Sequence, residues 1–242
     1  MTSPEQAELP LYTLRVSRRA RRASLKVCPM EGVVVVVPPG FDRRHLDVFI
    51  DESRSWLEHQ LRWLKRQKQP AKSRGLPRRI ELPAIGAGWE VDYRSAPSAR
   101  ISARSTASGQ LVVSGDTQNL AACRKALRRW LARQAKASLQ PWLTSLADAH
   151  GLSFSRLTVR GQRTRWGSCS SEGNISLNYQ LLFLDRRLVN CVLLHELCHT
   201  VHLNHGRRFY ALLRRLEPQF DRFERELSDG WKHVPAWVYR PE

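Results

Sequence analysis

Cysteine is scarce in this chain and poorly placed for cross-linking: Cys28, Cys123, Cys169, Cys191 and Cys198 are odd in number and form no C-x-x-C pair. A disulfide framework and a cysteine zinc knuckle are thereby excluded, and a reducing compartment suits the thiols best. Long apolar runs are missing too. Val33 to Val37 is far shorter than the ~20 residues a membrane-crossing helix needs. No basic leader with an apolar core opens the sequence, so a soluble, cytoplasmic protein is expected. No internal repeat, low-complexity tract or glycine-rich phosphate loop is present. Acidic residues are few beside basic ones, 22 against 40, which gives a net charge of +18. Such a field attracts polyanions, although an arginine-rich solvated surface alone would produce the same balance.

What is present reads as a mixed α and β chain. LYTLRV, SLKV and VVVVV, separated by the basic turn SRRARRA and by Met30-Glu31-Gly32, predict a small β-meander. Asp42 can cap a helix with apolar positions at Leu46, Phe49, Ile50, Leu57, Leu61 and Leu64, and the polar stretch from Gln67 to Gly75 predicts an internal boundary. Short strands at 79–82, 88–93, 100–104 and 111–114 read as one antiparallel sheet. A long helix opening after Asp116 follows, which Pro141 either kinks or divides before Gly151. The expected segments are 1–70, 71–115 and 116–242. Beyond Gly151 come the strand SRLTVR, the segment RTRWGSCS, the turn at Ser171 to Asn174 and the strand ISLN. Asp185 then caps a helix running through RRLVNCVLLHELCHTVHL, expected to stop at Asn204-His205-Gly206, where left-handed backbone is tolerated.

That helix carries the chemistry. His195 and His199, four residues apart, share one face about a turn from each other, and Glu196 lies beside them. Two imidazoles on one ion with an adjacent carboxylate form the H-E-x-x-H arrangement, in which the carboxylate takes a proton from the attacking water and returns it to the leaving group. The apolar CVLL before the motif would bury the helix at the base of a cleft. For a third ligand, His202 lies about 10 Å along a continuous helix from His195, which makes joint ligation awkward. His205, just past the expected helix end, can turn back over the ion, and three histidines with an open position make a catalytic zinc set. Glu217 and Glu224 remain open as downstream ligands. A metzincin assignment fails, because His202 stands where that pattern needs glycine and neither Met1 nor Met30 can form its methionine turn. In RTRWGSCS, Arg163, Arg165 and Trp166 are the candidate substrate contacts; a hairpin with Trp166 in the core explains the segment equally well.

RTRWGSCSSEGNISLNYQLLFLD followed by LLHELCHTVHLNHGRRFY, with YTLRVSRRARRASLKV and VVVVVPPGF upstream, resembles the YgjP-like metal-dependent hydrolases, relatives of the SprT-like and Wss-type zinc peptidases. The resemblance covers most of the chain. It implies an α+β architecture: a zincin-like catalytic domain, made of an antiparallel sheet and the active-site helix, with an N-terminal meander-and-helix accessory lobe. It also implies one Zn2+ held by His195, His199 and His205 with Glu196 as base, and WGSCS bordering the cleft. Cys198 stands where the family often has a small residue.

Three functions follow as expectations. The first is a zinc metallopeptidase acting on peptide or protein substrates associated with nucleic acid, with Arg18 to Arg22 and the basic helix Arg124 to Lys136 as DNA contacts. The second is a metal-dependent hydrolase of nucleoside triphosphates such as UTP, releasing pyrophosphate, an activity that the family resemblance also implies. The third is a non-catalytic zinc-containing nucleic-acid-binding module, in which Glu196 would have no role.

Overall fold

The computed structural model describes residues 12–18, 20–28, 32–52, 57, 75–97 and 100–238. The chain divides into two compact units, Met1–Pro70 and Ala71–Glu242.

In the first unit, strands β1 (Tyr12–Val16), β2 (Ser24–Cys28) and β3 (Gly32–Val37) form a sheet of order β1-β3-β2. β1 runs parallel to β3 and β2 antiparallel to it, so the expected meander is replaced by a sheet with the last strand at its centre. The physical reason lies in composition. Val33 to Val37 are all buried, a run without polar alternation that suits a strand flanked on both sides, while the mixed SLKVC segment takes an edge. Val33, Val35 and Val37 pack with Leu46, Ile50 and Leu57. Asp42 caps as expected, accepting from the Arg44 amide at 3.0 Å, and a 3-10 turn (Arg43–His45) leads into helix α1 (Leu46–Glu52). The expected continuation through Leu61 and Leu64, and most of the linker, lie outside the described residues.

The second unit opens with β4 (Arg79–Leu82), β5 (Ala87–Ser95), β6 (Ser102–Ser105) and β7 (Gln110–Gly115), in the order β4-β5-β7-β6. This sheet is mixed, not wholly antiparallel. β6 and β7 form a hairpin across a turn at Gly109 (φ 77°), and the hairpin seats β7 parallel to β5. Helix α2 (Leu120–Ala149) covers it, with Trp130 edge-on to Trp89. Asn119, not Asp116, is its cap, accepting from the Ala122 amide at 3.0 Å. Pro141 lies inside one uninterrupted helix, because the buried positions Leu127, Trp130, Leu131, Leu139 and Leu143 hold the helical period on both sides of it. Gly151 (φ 62°) ends the helix in the left-handed region, with the Leu152 amide returning to the Ala147 carbonyl at 2.8 Å.

A second three-stranded sheet follows, built from β8 (Arg156–Arg160), β9 (Gly167–Cys169) and β10 (Asn174–Asn178) in the order β8-β10-β9. Here too the expected antiparallel pairing is mixed: β10 is parallel to β8 and antiparallel to β9, which leaves β9 as a free edge among the described strands. A buried 3-10 turn (Tyr179–Phe183) then delivers the chain to helix α3 (Arg186–Cys198), and α4 (Arg207–Leu216) and α5 (Phe220–Asp229) close the unit. The α+β class is as expected, with both sheets of this unit mixed where antiparallel sheets are expected. No helix among the described residues is long and apolar enough to cross a membrane.

Candidate metal centre

Helix α3 begins at Asp185, whose carboxylate accepts from the Arg187 amide at 2.8 Å. Leu188, Val189, Val192, Leu193 and Leu197 are buried, so the helix is anchored along its length and its last turn is held rigidly. It stops at Cys198, with His199 as the capping residue, earlier than the sequence suggests. No left-handed residue is used: Gly206 has φ −89° and no non-glycine residue among the described residues has positive φ. The amides of Val201 and His202 both reach back to the Cys198 carbonyl, at 3.1 and 2.9 Å, and this tight turn redirects the chain so that His205 swings over the helix end.

The result is a convergence of three imidazoles. The Nε2 atoms of His195, His199 and His205 lie 3.2, 3.1 and 3.1 Å from one another, a nearly equilateral set that could hold a metal ion. Tetrahedral zinc with Zn–N bonds near 2.05 Å requires about 3.3 Å between ligand nitrogens, so the residues fit such an ion. Burial, and the neighbouring His199 and His205 rings, hold His195 down at about 3, and burial likewise lowers His199. These two rings are neutral at pH 7, with lone pairs available. His199 Nδ1 donates to the His202 carbonyl at 3.1 Å, which fixes the tautomer that leaves Nε2 as the acceptor. His202 therefore contributes through its backbone.

One residue holding this arrangement escapes a sequence reading. Phe209, fully buried on α4, has its ring centroid 5.0 Å from His195, 4.5 Å from His199 and 4.7 Å from His205. Its signal is only the spacing of Phe209 and Leu213 between arginine pairs at either end of the helix, which marks a buried face without saying what it supports.

Glu196 is 5% exposed, and its Oε2 has no hydrogen-bond partner. Burial pushes its carboxyl up to about 8, opposed by the Arg165 charge. It lies against β9 so closely that a β-carbon on Gly167 would collide with the carboxylate. Arg165, Trp166, Val192, Phe220, Leu227 and Glu224 join His195 and Glu196 around a cavity of about 230 Å³. Of the expected substrate contacts, Arg165 and Trp166 thus border this cavity, while Arg163 is not among its lining residues. Trp166 stacks on Trp231 with centroids 4.0 Å apart, so it is both wall and packing element. Of the two downstream glutamates, Glu224 lines the cavity, whereas Glu217 accepts from the Gln219 amide at 3.2 Å. Neither belongs to the convergent cluster. The Cys198 thiol is buried and pushed up to about 11, which keeps it protonated and inert.

The approach to the site is pinned by Asn178. It is fully buried and donates through Nδ2 to the carbonyls of Gln162 and Arg165 at 2.9 and 3.0 Å, while its Oδ1 accepts from the Gln180 amide at 3.1 Å. The two Nδ2 bonds tie the 162–165 segment to the end of β10, and the Oδ1 bond caps the 3-10 turn that follows; together they present β9 to the cavity.

With this geometry in place, comparison with known proteins gives a family. Residues 21–229 match the family model described as YgjP-like, metallopeptidase domain. The chain belongs to the YgjP-like family. Membership makes this YgjP-like chain a metal-dependent hydrolase of the metallopeptidase type, and the histidine cluster sits inside the matched region. Among solved structures, the metallopeptidase zymogen jannalysin of Methanocaldococcus jannaschii is similar at 22% identity, over 35% of this chain and 88% of that one, with a TM-score of 0.32. No curated protein matches the chain.

Proposed function

We propose that this protein is a zinc metallopeptidase acting on proteins associated with nucleic acid, in which His195, His199 and His205 hold the ion and Glu196 is the general base. The observation that carries the reading is the Nε2 triangle with a buried, unpartnered carboxylate oxygen on the same helix turn. Zinc bound there would polarise the scissile carbonyl and lower the pKa of a water. Glu196 accepts a proton from the water that attacks the carbonyl carbon and passes it to the departing amine, so the C–N bond breaks with the proton delivered to nitrogen. The free edge of β9 offers backbone groups to an extended peptide, Trp166 walls its side chains, and Arg165 lies close enough to bias the Glu196 charge. A cavity of about 230 Å³ with two carboxylates and one arginine suits a peptide better than a triphosphate. A merely structural zinc would need a fourth protein ligand, and among the described residues the cluster has three. The net charge of +18 supports a polyanionic setting for the substrate.

The test compares wild type with Glu196→Gln at equal zinc content, following cleavage of a basic DNA-binding protein with and without DNA alongside UTP hydrolysis. Proteolysis confined to wild type and raised by DNA is expected. UTP turnover without proteolysis would overturn the peptidase reading.

A further inference from the structure

A second feature of the second unit is strongly cationic and shares no lining residue with the histidine cavity. β6 is the edge of the four-stranded sheet, and α2 packs along it. Between them runs a groove of about 600 Å³ lined by Arg100, Arg104, Arg129 and Arg133, with no acidic residue in the lining.

Two of these arginines are anchored. Arg129 Nη2 donates to the Ile101 carbonyl at 2.9 Å, and Arg133 Nη2 donates to the Ala103 carbonyl at 2.7 Å. Capping the carbonyls of an edge strand protects it from pairing with another chain, and that alone would account for both bonds. It uses only one of five N–H donors on each guanidinium, however, and a carbonyl is neutral, so each bond fixes a cation without cancelling it. The Arg104 side chain is exposed and forms no hydrogen bond or ion pair among the described residues. The anchored pair are one helical turn apart, about 6 Å, and their carbonyl partners are two strand residues apart, about 7 Å. Helix and strand thus set the cations out as a ladder, which suits a polymer of regularly repeated charge better than a single compact anion.

We propose that this groove binds the phosphate backbone of nucleic acid without regard to base sequence. Guanidinium forks meet phosphate oxygens in pairs, which favours phosphate over isolated carboxylates. No aromatic side chain lines the groove, so bases have nothing to stack on, and contact is confined to the backbone. The site deepens the nucleic-acid-associated reading given above, and rests on it only for its biological setting.

The experiment measures binding of a labelled DNA duplex by fluorescence anisotropy over a series of salt concentrations, using full-length protein carrying Glu196→Gln. Adding Arg100→Glu and Arg104→Glu is expected to weaken binding about tenfold or more at low salt and to reduce the slope of log K against log salt by about 2, near 0.9 for each lost phosphate contact. Arg43→Glu with Arg156→Glu, an equal charge change at exposed positions outside the groove and outside the basic segments named above, is the control and should leave the slope within experimental error. Arg129→Lys with Arg133→Lys keeps the charge, removes the forks and should weaken duplex binding without unfolding the sheet. An unchanged slope in the Arg100 and Arg104 variant, or an equal loss in the control, overturns the groove. Peptide cleavage is measured separately with Glu196 intact: absent cleavage beside normal groove-dependent binding would sink the peptidase reading and leave the groove standing.

Discussion

Gly167 and Glu196 occupy each other's space: the strand that borders the cavity approaches the candidate catalytic carboxylate so closely that only a hydrogen fits on the strand's Cα. Gly167→Ala should therefore push the Glu196 side chain out of place while leaving the histidines alone. A fall of about 100-fold in kcat/KM is expected, the scale of a 1 Å misplacement. Zinc content measured on the same preparation should stay near that of wild type; a loss of metal in step with activity would show that the contact supports the ion instead.

Phe209 touches all three imidazoles from a fully buried position. Phe209→Ala should cost about 3 to 5 kcal/mol of stability through the cavity it leaves. Phe209→Leu fills most of that volume without the flat ring, and zinc affinity, read by competition with a chromogenic chelator, should weaken by about 10-fold or more. Unchanged affinity in the leucine variant would mean that the rings are oriented by the turn alone.

A pH dependence follows from Glu196 in the metal-free protein. Its folded carboxyl, raised by burial to about 8 against an ordinary 4.5, binds a proton that the unfolded chain releases. Stability therefore falls as pH rises from about 4.5 to 8 and levels above that, by an amount on the order of a few kcal/mol. Glu196→Gln removes this dependence. Thermal melts should show the variant gaining on wild type across that window; parallel melting curves would contradict the assignment.

Asn178 satisfies two loop carbonyls and one amide from a fully buried site. Asn178→Ala leaves all three without this partner, and a loss of about 3 kcal/mol or more in urea unfolding is expected. Peptidase activity should fall as well, since Arg165 and Trp166 ride on the segment that Asn178 ties down. Full activity with reduced stability would separate the two roles.

Much of the site is legible from local pattern. The spacing of His195 and His199, the cap at Asp185 and the position of His205 are all short-range features, and the structure brings the three histidines together. What escapes is long-range. Strand order in each sheet depends on which apolar run can be flanked on both sides, and the valine run of β3 could not reveal from its own residues that β1 would lie parallel to it. Gly167 carries no local signal of the Glu196 carboxylate that packs against it. Phe209 reads as ordinary core. The early end of α3 is not written in any glycine, because the turn closes on the Cys198 carbonyl with none of its residues at positive φ.

That early end has a thermodynamic consequence. His195 belongs to a rigid helix, His199 is its capping residue and His205 lies in the turn beyond, so the three donors sit on backbone of decreasing constraint. Any opening of the 200–206 turn removes one donor and leaves two. Metal occupancy and closure of the turn are thus a single linked equilibrium: each factor by which zinc tightens its hold slows amide exchange at Val201 and His202, whose hydrogen bonds to the Cys198 carbonyl close the turn, by the same factor.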